Sequence, residues 1–360
     1  MTKPPLQWPT SVALPEEESC KINYRVEERD QWYHVYTTEN FHIAVHGNFP
    51  VVTWQMQDIA RVAEATRLLF QQSPIGVYSQ PLEGYYRIEI YDNRAKYHLA
   101  TGSRNSAGSY NRYTQSLSIP VDMKKVVPTP PELREMGPKM MTISYDMATL
   151  VHELTHMMMH EMLDFMPQWL VEGSAEFVEE MPRRDAQFMP DRIMLGLQFI
   201  SKHYRRDNTY PEPVPLGDIL LLTRKEWHDT IGGMPDKQKC LYYCSYLLTS
   251  YFMLEKPETF QKMLNVSRRK AAERKQYYTD AEQYKEELDA FIQLPGVMMD
   301  KETNTLRYNP ELTPPTAPTK PGYELDEFHA VMLEGRSAAE VGAAAEAWAR
   351  NLGLYVRNSY

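Results

Sequence analysis

The chain has 360 residues, a formal net charge of −9 at pH 7, and 42% hydrophobic and 24% charged residues. A chain of this length can bury a large core in one large or two smaller domains, and its acidic balance argues against nucleic acid as a partner. No stretch approaches the roughly 20 apolar residues that a membrane-spanning helix requires, so no membrane span is predicted.

Residues 1–30 are polar and contain proline, which predicts a loosely held leader. The first five residues lack the hydrophobic core of a signal peptide. The chain is therefore predicted to be either cytoplasmic or the mature form of an exported protein, periplasmic or extracellular, whose signal peptide has been removed. The polar start favours export.

Residues 31–139 are predicted to form a mixed α/β lobe. Alternation of apolar and polar residues predicts strands, and an apolar period of 3.6 residues predicts helices. On this basis we expect strands at residues 32–36, 41–46, 85–91 and 115–121, and helices at residues 53–70 and 93–99.

Residues 140–294 are predicted to be mostly helical. Residues 149–163 carry apolar side chains around most of a helical surface, so this helix is expected to lie in the core. Residues 164–167 break it, and a second helix is expected from about residue 167 to residue 180. Gly173 and Ala175 are expected to let these two helices approach each other closely.

The first of these helices contains the motif His-Glu-Leu-Thr-His at residues 152–156. Two imidazoles four residues apart on a helix are separated by about 6 Å along the axis and by about 40° around it, so His152 and His156 can reach one zinc ion. Glu172 on the second helix can supply a third ligand, which leaves an open position for water, as in a catalytic zinc site. The alternative is an ordinary buried helix with two hydrogen-bonded histidines.

Together with Trp-Leu-x-Glu-Gly-x-Ala at residues 169–175, this motif resembles that of the gluzincin zinc metallopeptidases. It is similar to the pattern of the peptidase-MA-like bacterial domains and, more distantly, to that of the zinc aminopeptidases. The resemblance covers about residues 30–255 and implies a zincin fold in which His152, His156 and Glu172 bind one zinc and Glu153 is the general base. The aminopeptidases carry a Gly-x-Met-Glu-Asn motif that binds the free amine of the substrate, and this chain lacks that motif.

These residues imply metal-assisted hydrolysis, in which zinc lowers the pKa of its bound water and polarises the scissile carbonyl. Glu153 can take the proton of that water and pass it to the leaving amine. Glu176, one turn after Glu172, is expected to accept a hydrogen bond from the outer nitrogen of a ligand histidine; Glu179 is a weaker candidate, and either can be a surface charge instead. His160 lies too far along the helix to share the zinc and is expected to be a helix-surface histidine.

Residues 241–254 predict an aromatic helix that resembles the tyrosine-led helix found after the zinc segment in this superfamily. The resemblance implies that Tyr242 donates a hydrogen bond to the developing oxyanion, with Tyr243 as the second candidate; the alternative is that these tyrosines only pack.

Zincins bind substrate as an extra antiparallel strand on a sheet edge, and we expect that edge at residues 108–110 and 115–119, with an ordinary hairpin as the alternative.

The end of the chain is predicted to hold a proline-rich linker at residues 295–322 and a small helical tail at residues 323–360. Residues 337–351 of this tail form an alanine-rich amphipathic helix that can dock on the catalytic lobe or bind a partner.

The sequence thus predicts an α+β zincin, with a sheet-containing N-terminal lobe over a helical lobe and one Zn²⁺ in the cleft between them. The predicted function is hydrolysis of peptide or protein substrates, favouring an endopeptidase. Two alternatives stay open: a catalytically silent, zinc-stabilised binding protein, and a narrow-specificity exopeptidase or glycopeptide or cell-wall peptide hydrolase. The oligomeric state is not predicted.

Overall fold

A mixed sheet followed by a mainly helical region makes this an α+β protein. The structure is a computed structural model. It describes the whole chain except residues 1–7, 15–20, 29–31, 48–49, 77, 82, 104–105, 128–139, 207–211, 233, 301–304, 323 and 357–360.

The main sheet has six strands in the order β1-β2-β3-β4-β6-β5. β3 and β4, and β4 and β6, are parallel, whereas the other three pairs are antiparallel. Its strands are β1 (Asn23–Glu28), β2 (Trp32–Thr37), β3 (Phe41–His46), β4 (Tyr86–Tyr91), β5 (Ser109–Asn111) and β6 (Ser116–Pro120). The strands predicted from alternation are therefore confirmed, and β5 occupies one edge of the sheet.

In the described part of the chain, three further two-stranded sheets lie outside the main sheet. They pair β7 (Asp122–Val127) with β8 (Met140–Ser144), β9 (Arg183–Arg184) with β10 (Gln187–Phe188), and β11 (Met298–Asp300) with β12 (Thr305–Arg307).

Helices α1 (Thr53–Gln72) and α3 (Met147–Met158) cover one face of the main sheet. α1 contacts β3, while α3 contacts both β5 and β6. The alternate residues Ile43 and Val45 of β3 are fully buried, as are Met56 and Ile59 of α1, because a strand places every second side chain on one face. This packing sets the helix that carries the His-Glu-Leu-Thr-His motif directly beneath the edge of the sheet.

The remaining helices are α2 (Arg94–Thr101), α4 (Gln168–Glu179), α5 (Ile193–Arg206), α6 (Leu216–Ile219), α7 (Arg224–Ile231), α8 (Pro235–Leu254), α9 (Pro257–Ile292), α10 (Asp326–Leu333) and α11 (Ala338–Asn351). A 3-10 helix, His160–Phe165, joins α3 to α4, and a second one, Pro190–Arg192, precedes α5. α4 packs against both α3 and α8, so α4 lies at the centre of the helical region.

The helix ends follow local chemistry that is visible in the sequence. The carboxylate of Asp146 accepts hydrogen bonds from the Ala148 N–H and the Thr149 hydroxyl at 3.0 Å, which caps the start of α3. Ser337 and Glu340 form a reciprocal capping box at the start of α11. The start predicted for α11 is confirmed by this cap.

Two segments predicted from composition contain strands that composition did not predict. The predicted leader, residues 1–30, includes β1, and Val12 is buried and exchanges both backbone hydrogen bonds with Phe188, at 2.8 and 2.9 Å. The predicted linker, residues 295–322, includes the β11–β12 hairpin. The pairing of Val12 with Phe188 joins segments far apart in the chain, whereas β11 pairs with the neighbouring β12, and composition reports neither pairing.

The C-terminal tail docks on the helical region. α11 contacts α6 and α8, and Val341 and Ala345 are fully buried in the common core. Gly217 and Gly342 meet so closely that a Cβ on Gly342 would lie 2.1 Å from the Gly217 nitrogen. Of the two predicted roles, docking is therefore the one observed.

Within the part of the chain that the structure describes, no helix is both long enough and apolar enough to cross a membrane.

Candidate metal centre

His152 and His156 project from the same face of α3, with ring centroids 4.9 Å apart. Glu172, in the second turn of α4, faces them. Its Oε2 lies 3.4 Å from Nε2 of His152 and 3.5 Å from Nε2 of His156. The three predicted ligands are therefore brought together, each of them only 8% exposed.

The spacing of these atoms fits one metal ion. Tetrahedral coordination with bonds of about 2.0–2.1 Å places neighbouring ligand atoms about 3.4 Å apart. Both histidine-to-glutamate distances match this value, and the three ligand atoms all lie within 4.8 Å of one another. His152, His156 and Glu172, called the metal cluster below, are close enough to hold an ion.

A second observation agrees with this fit. Oε2 of Glu172 is buried and forms no hydrogen bond in the described part of the chain, although Gln168 Nε2 donates to the other oxygen, Oε1, at 2.7 Å. Its contacts with the two imidazoles are longer than the about 2.7–2.9 Å of a charge-assisted hydrogen bond. A buried carboxylate oxygen that faces two imidazole nitrogens forms, together with them, a set of atoms that can bind a cation.

The charges within the metal cluster are strongly coupled. Burial alone would raise the pKa of Glu172, but the two imidazoles hold that pKa well below its ordinary value. Burial alone would lower the pKa of His152, but the carboxylates of Glu172 and Glu179 raise it well above its ordinary value. The site thus keeps its glutamate ionised, as a metal ligand must be.

Two glutamates of α4, Glu176 and Glu179, lie next to the outer nitrogen of His152. Glu176 was predicted to accept its hydrogen bond, but Glu179 does so. Glu179 Oε2 lies 2.8 Å from His152 Nδ1 and accepts its hydrogen bond, whereas Glu176 Oε1 is 3.6 Å away. Glu179 is thus the hydrogen-bonding residue, and the Glu176 carboxyl lies beside it, outside hydrogen-bonding distance of His152. Burial and the neighbouring Glu179 raise the pKa of Glu176 to about 8.

Glu153 lines the same cavity as the metal cluster, a space of about 190 Å³. Its carboxyl is buried, and this burial raises its pKa. The loop before β5 passes directly over it, because a Cβ on Gly108 would lie 2.9 Å from Cγ of Glu153 and 2.8 Å from Thr149 Cγ2. Glycine at position 108 therefore allows the sheet edge to approach the Glu153 side chain.

Tyr242 of α8 also lines this cavity. Its ring stacks on that of His152, with centroids 6.0 Å apart and planes inclined by 12°. Burial, together with the charge of Glu172, raises its pKa well above the ordinary value, so the phenol stays protonated and can donate a hydrogen bond. Tyr243, the second candidate, donates instead to the Tyr355 carbonyl at 2.7 Å.

The sequence analysis placed Tyr110 in the expected substrate-binding edge, but it missed two polar residues of the cavity wall, Arg112 and Gln168. Tyr110 and Arg112 come from the β5 edge and the turn after it, and Gln168 begins α4. None of them stands at a spacing that marks a metal or catalytic site. Only Gln168 had an available signal, since it lies one helical turn before Glu172.

His160 is not the helix-surface histidine that was predicted. It begins the 3-10 helix and is half-buried between two residues of the β5–β6 hairpin. Its Nδ1 lies 2.9 Å from the Tyr110 hydroxyl, and its Nε2 lies 3.0 Å from Nε2 of Gln115. His160 therefore fastens the sheet edge to the segment after α3; among the described residues, it belongs to no group that could hold a metal ion.

Gly173 allows close packing, but with a different helix from the one predicted. A Cβ at this position would lie 2.2 Å from Oγ1 of Thr249 and 2.3 Å from the Ser245 carbonyl oxygen, both on α8. The glycine thus joins α4 to α8, which brings Glu172 and Tyr242 to the same cavity.

The predicted sheet edge is correct for residues 108–110 and wrong for residues 115–119. β5 pairs on one side only, with β6, whereas β6 is hydrogen-bonded to both β4 and β5. Of these two strands, β5 is therefore the one that offers free backbone groups for an added strand.

Compared with known proteins, the chain matches no protein-family model and no curated protein sequence.

Proposed function

We propose that this protein is a zinc-dependent metallopeptidase of the gluzincin type, acting as an endopeptidase on peptides or proteins. The observation that carries the proposal is the convergence of Nε2 of His152, Nε2 of His156 and Oε2 of Glu172 in a cavity that Glu153 also lines. The covering of the motif helix by a sheet with an exposed edge supports a zincin-like fold.

Zinc is the metal that this donor set favours, because two imidazoles and one carboxylate form a known catalytic zinc site. Bound there, zinc would supply an electrophile for the scissile carbonyl and make a water molecule more acidic. Glu179, through its hydrogen bond to His152 Nδ1, would fix the orientation of that imidazole and make it a stronger ligand.

Glu153 would act as the general base. It would accept a proton from the attacking water and return a proton to the leaving amine as the carbon–nitrogen bond breaks. Its raised pKa suits both steps, because a carboxylate that binds protons more readily transfers them with less cost near neutral pH.

Tyr242 would stabilise the oxyanion that develops on the carbonyl. Its phenol is kept protonated by burial, and stacking on His152 holds the ring in the cavity. A donor fixed before the reaction begins gains free energy in the transition state without the cost of reorganisation.

The substrate backbone would pair with β5 as an extra strand. β5 lies at the sheet edge, and the loop that leads into it touches Glu153 at Gly108. An extended peptide bound along this edge would pass over the metal cluster at an internal bond. This arrangement, with the absence of the Gly-x-Met-Glu-Asn motif from the sequence, favours an endopeptidase over an aminopeptidase.

The test combines metal analysis with cleavage of a mixed peptide library, wild type beside Glu153→Gln. We expect one zinc per chain in both proteins and internal cuts by the wild type alone. Bound zinc without cleavage by the wild type would favour the binding protein or the narrow-specificity hydrolase. Absence of zinc from a protein refolded with zinc would overturn the assignment of the site.

A further inference from the structure

A second cleft, of about 980 Å³, adjoins the cavity of the metal cluster. Arg112 and Gln168 line both spaces, so the two are continuous at these side chains. We call it the arginine cleft, after Arg112, Arg224 and Arg274, which meet there around Asp164.

Three guanidinium groups in the arginine cleft share one carboxylate. Arg112 and Arg274 form short ion pairs with opposite oxygens of Asp164, and Arg224 Nη1 lies 3.5 Å from Oδ1. With Lys275, four cationic side chains line the cleft, against the two carboxylates of Asp164 and Glu161. The described lining therefore carries an excess of two positive charges in a chain whose net charge is −9.

The arginines are held in place by neutral acceptors as well as by Asp164. Nη2 of Arg224 donates to the Leu163 carbonyl at 3.0 Å, and Nε donates to Oε1 of Gln168 at 3.1 Å. Nη2 of Arg274 donates to the Glu161 carbonyl at 3.1 Å. These bonds hold the guanidinium groups in fixed orientations before any ligand binds, which reduces the entropy lost on binding.

Electrostatics within the cleft agree with an excess of positive charge. Burial, and then the charge of Arg224, lower the pKa of Arg112 despite its ion pair with Asp164. Arg112 thus lies in a partly desolvated place beside another cation, where an added anion would be stabilised.

We propose that the arginine cleft binds a carboxylate of the substrate, so that the protein prefers peptides with an acidic group close to the scissile bond. This rests on the proposed function, since it assigns a substrate class to the same site. Guanidinium groups bind carboxylates through paired hydrogen bonds, and Arg112 lines both the cleft and the metal cavity. The carboxylate is either an aspartate or glutamate side chain or the terminal carboxylate of a short peptide.

The test measures binding separately from catalysis. Glu153→Gln protein loaded with zinc is titrated by calorimetry with peptides that share one core sequence. One pair differs by glutamate or glutamine beside the central bond, and a second pair by a free or amidated C-terminus. We expect one acidic member to bind about ten- to a hundredfold more tightly than its neutral twin. The pair that shows the difference identifies the source of the carboxylate.

Variants then assign the preference to the cleft. Arg112→Gln and Arg224→Gln, each in the Glu153→Gln background, should reduce the acidic-to-neutral affinity ratio to near one. Arg112→Lys should retain part of the ratio, since it keeps the charge but not the paired donors. Arg269→Gln removes an arginine that pairs with Glu273 and Glu327 outside the cleft, and it should keep the full ratio.

The outcomes separate this inference from the proposed function. Equal affinity for acidic and neutral twins in a folded protein would overturn the carboxylate site, even if the wild type cleaves peptides. A preference that persists in both Arg112→Gln and Arg224→Gln would also overturn it. Acid-selective binding that these variants abolish, without any cleavage by the wild type, would support the site and contradict the peptidase.

Discussion

The metal cluster and the arginine cleft are neighbours with opposite charge. Around the metal cluster, the carboxylates Glu153, Glu176 and Glu179 join Glu172 beside two histidines. In the arginine cleft, three guanidinium groups share the single carboxylate of Asp164. Buried charge of one sign is costly unless an opposite charge balances it, so the two regions suit a cation and an anion respectively.

Gln168 lies between these two regions and contacts both. Its Nε2 donates to Glu172 at 2.7 Å, and its Oε1 accepts from Arg224 at 3.1 Å. An amide can serve both neighbours because it carries a donor and an acceptor without net charge. The charges of the two sides are therefore kept apart by a neutral group that is hydrogen-bonded to each.

The largest expected effect concerns catalysis at the metal cluster and the neighbouring Glu153. Glu153→Gln should lower kcat/KM for peptide hydrolysis by about 10²–10⁴, because it removes the general base but leaves the three metal ligands. Steady-state kinetics with zinc analysis measures this change. Glu287→Gln, on α9 outside both cavities, is the matched control and should retain full activity. A Glu153→Gln enzyme with more than a tenth of wild-type activity would contradict the assignment.

The next largest effect concerns the stability that Asp164 gives to the arginine cleft. Asp164→Asn should lower the free energy of unfolding by about 1–3 kcal/mol, because three arginines lose the half-buried carboxylate that they share. Denaturant unfolding measures the change. Asp229→Asn removes only an exposed pair with Lys225 and should cost less than about 1 kcal/mol. Similar losses in the two variants would show that the arginine cleft does not depend on Asp164.

The same carboxylate predicts a pH dependence. Burial raises the pKa of Asp164, but hydrogen bonding to Arg274 and the charges of the three arginines hold it below the ordinary value of 3.8. A lowered pKa in the folded state means that Asp164 stabilises the protein above pH 3.8 and that this stabilisation is lost as the pH falls below that value. The stability difference between wild type and Asp164→Asn should therefore shrink at low pH.

A smaller effect distinguishes the two glutamates next to His152, Glu179 and Glu176. Glu179→Gln should weaken zinc binding by about 10–100-fold, because Glu179 accepts the hydrogen bond of His152 at 2.8 Å. Glu176→Gln should weaken it less, since Glu176 lies 3.6 Å from that nitrogen. Competition with a chelator of known zinc affinity measures both. An equal or larger loss in Glu176→Gln would reverse the assigned roles.

The smallest effect tests the contact between the two regions. Gln168→Met should cost about 1 kcal/mol of stability, since it removes hydrogen bonds on both sides at similar side-chain volume. A double-mutant cycle with Arg224→Gln measures their coupling. Strict additivity of the two variants would show that Gln168 does not link the regions energetically.

The metal cluster was predictable because its geometry is largely local. Two histidines four residues apart on a helix must share a face. The chain turns back through the 3-10 helix His160–Phe165, so the predicted helix end at residue 163 was wrong, since α3 ends at Met158, but the predicted return of the chain was correct. The choice between Glu176 and Glu179 was not predictable. Both lie on the face of α4 that carries Glu172, and the crossing of α3 and α4 decides which of them reaches His152.

The arginine cleft gives no signal in the sequence. Arg112 follows β5, Arg224 begins α7 and Arg274 lies within α9, so only the tertiary fold brings them to Asp164. The order of the strands in the sheet could not be predicted, for a similar reason. Alternation predicted the strand at residues 115–121, but the pairing of β6 with two neighbours depends on segments far from it in the chain.

The close contact at Gly173 has a consequence for altering this protein. α4 and α8 meet there without room for one additional methyl group, so Glu172 and Tyr242 cannot be moved apart without loosening both helices. β5, by contrast, is a three-residue strand paired on one side only. Redesign for wider or narrower ligands should therefore begin with the length and sequence of the β5–β6 hairpin and leave the helices unchanged.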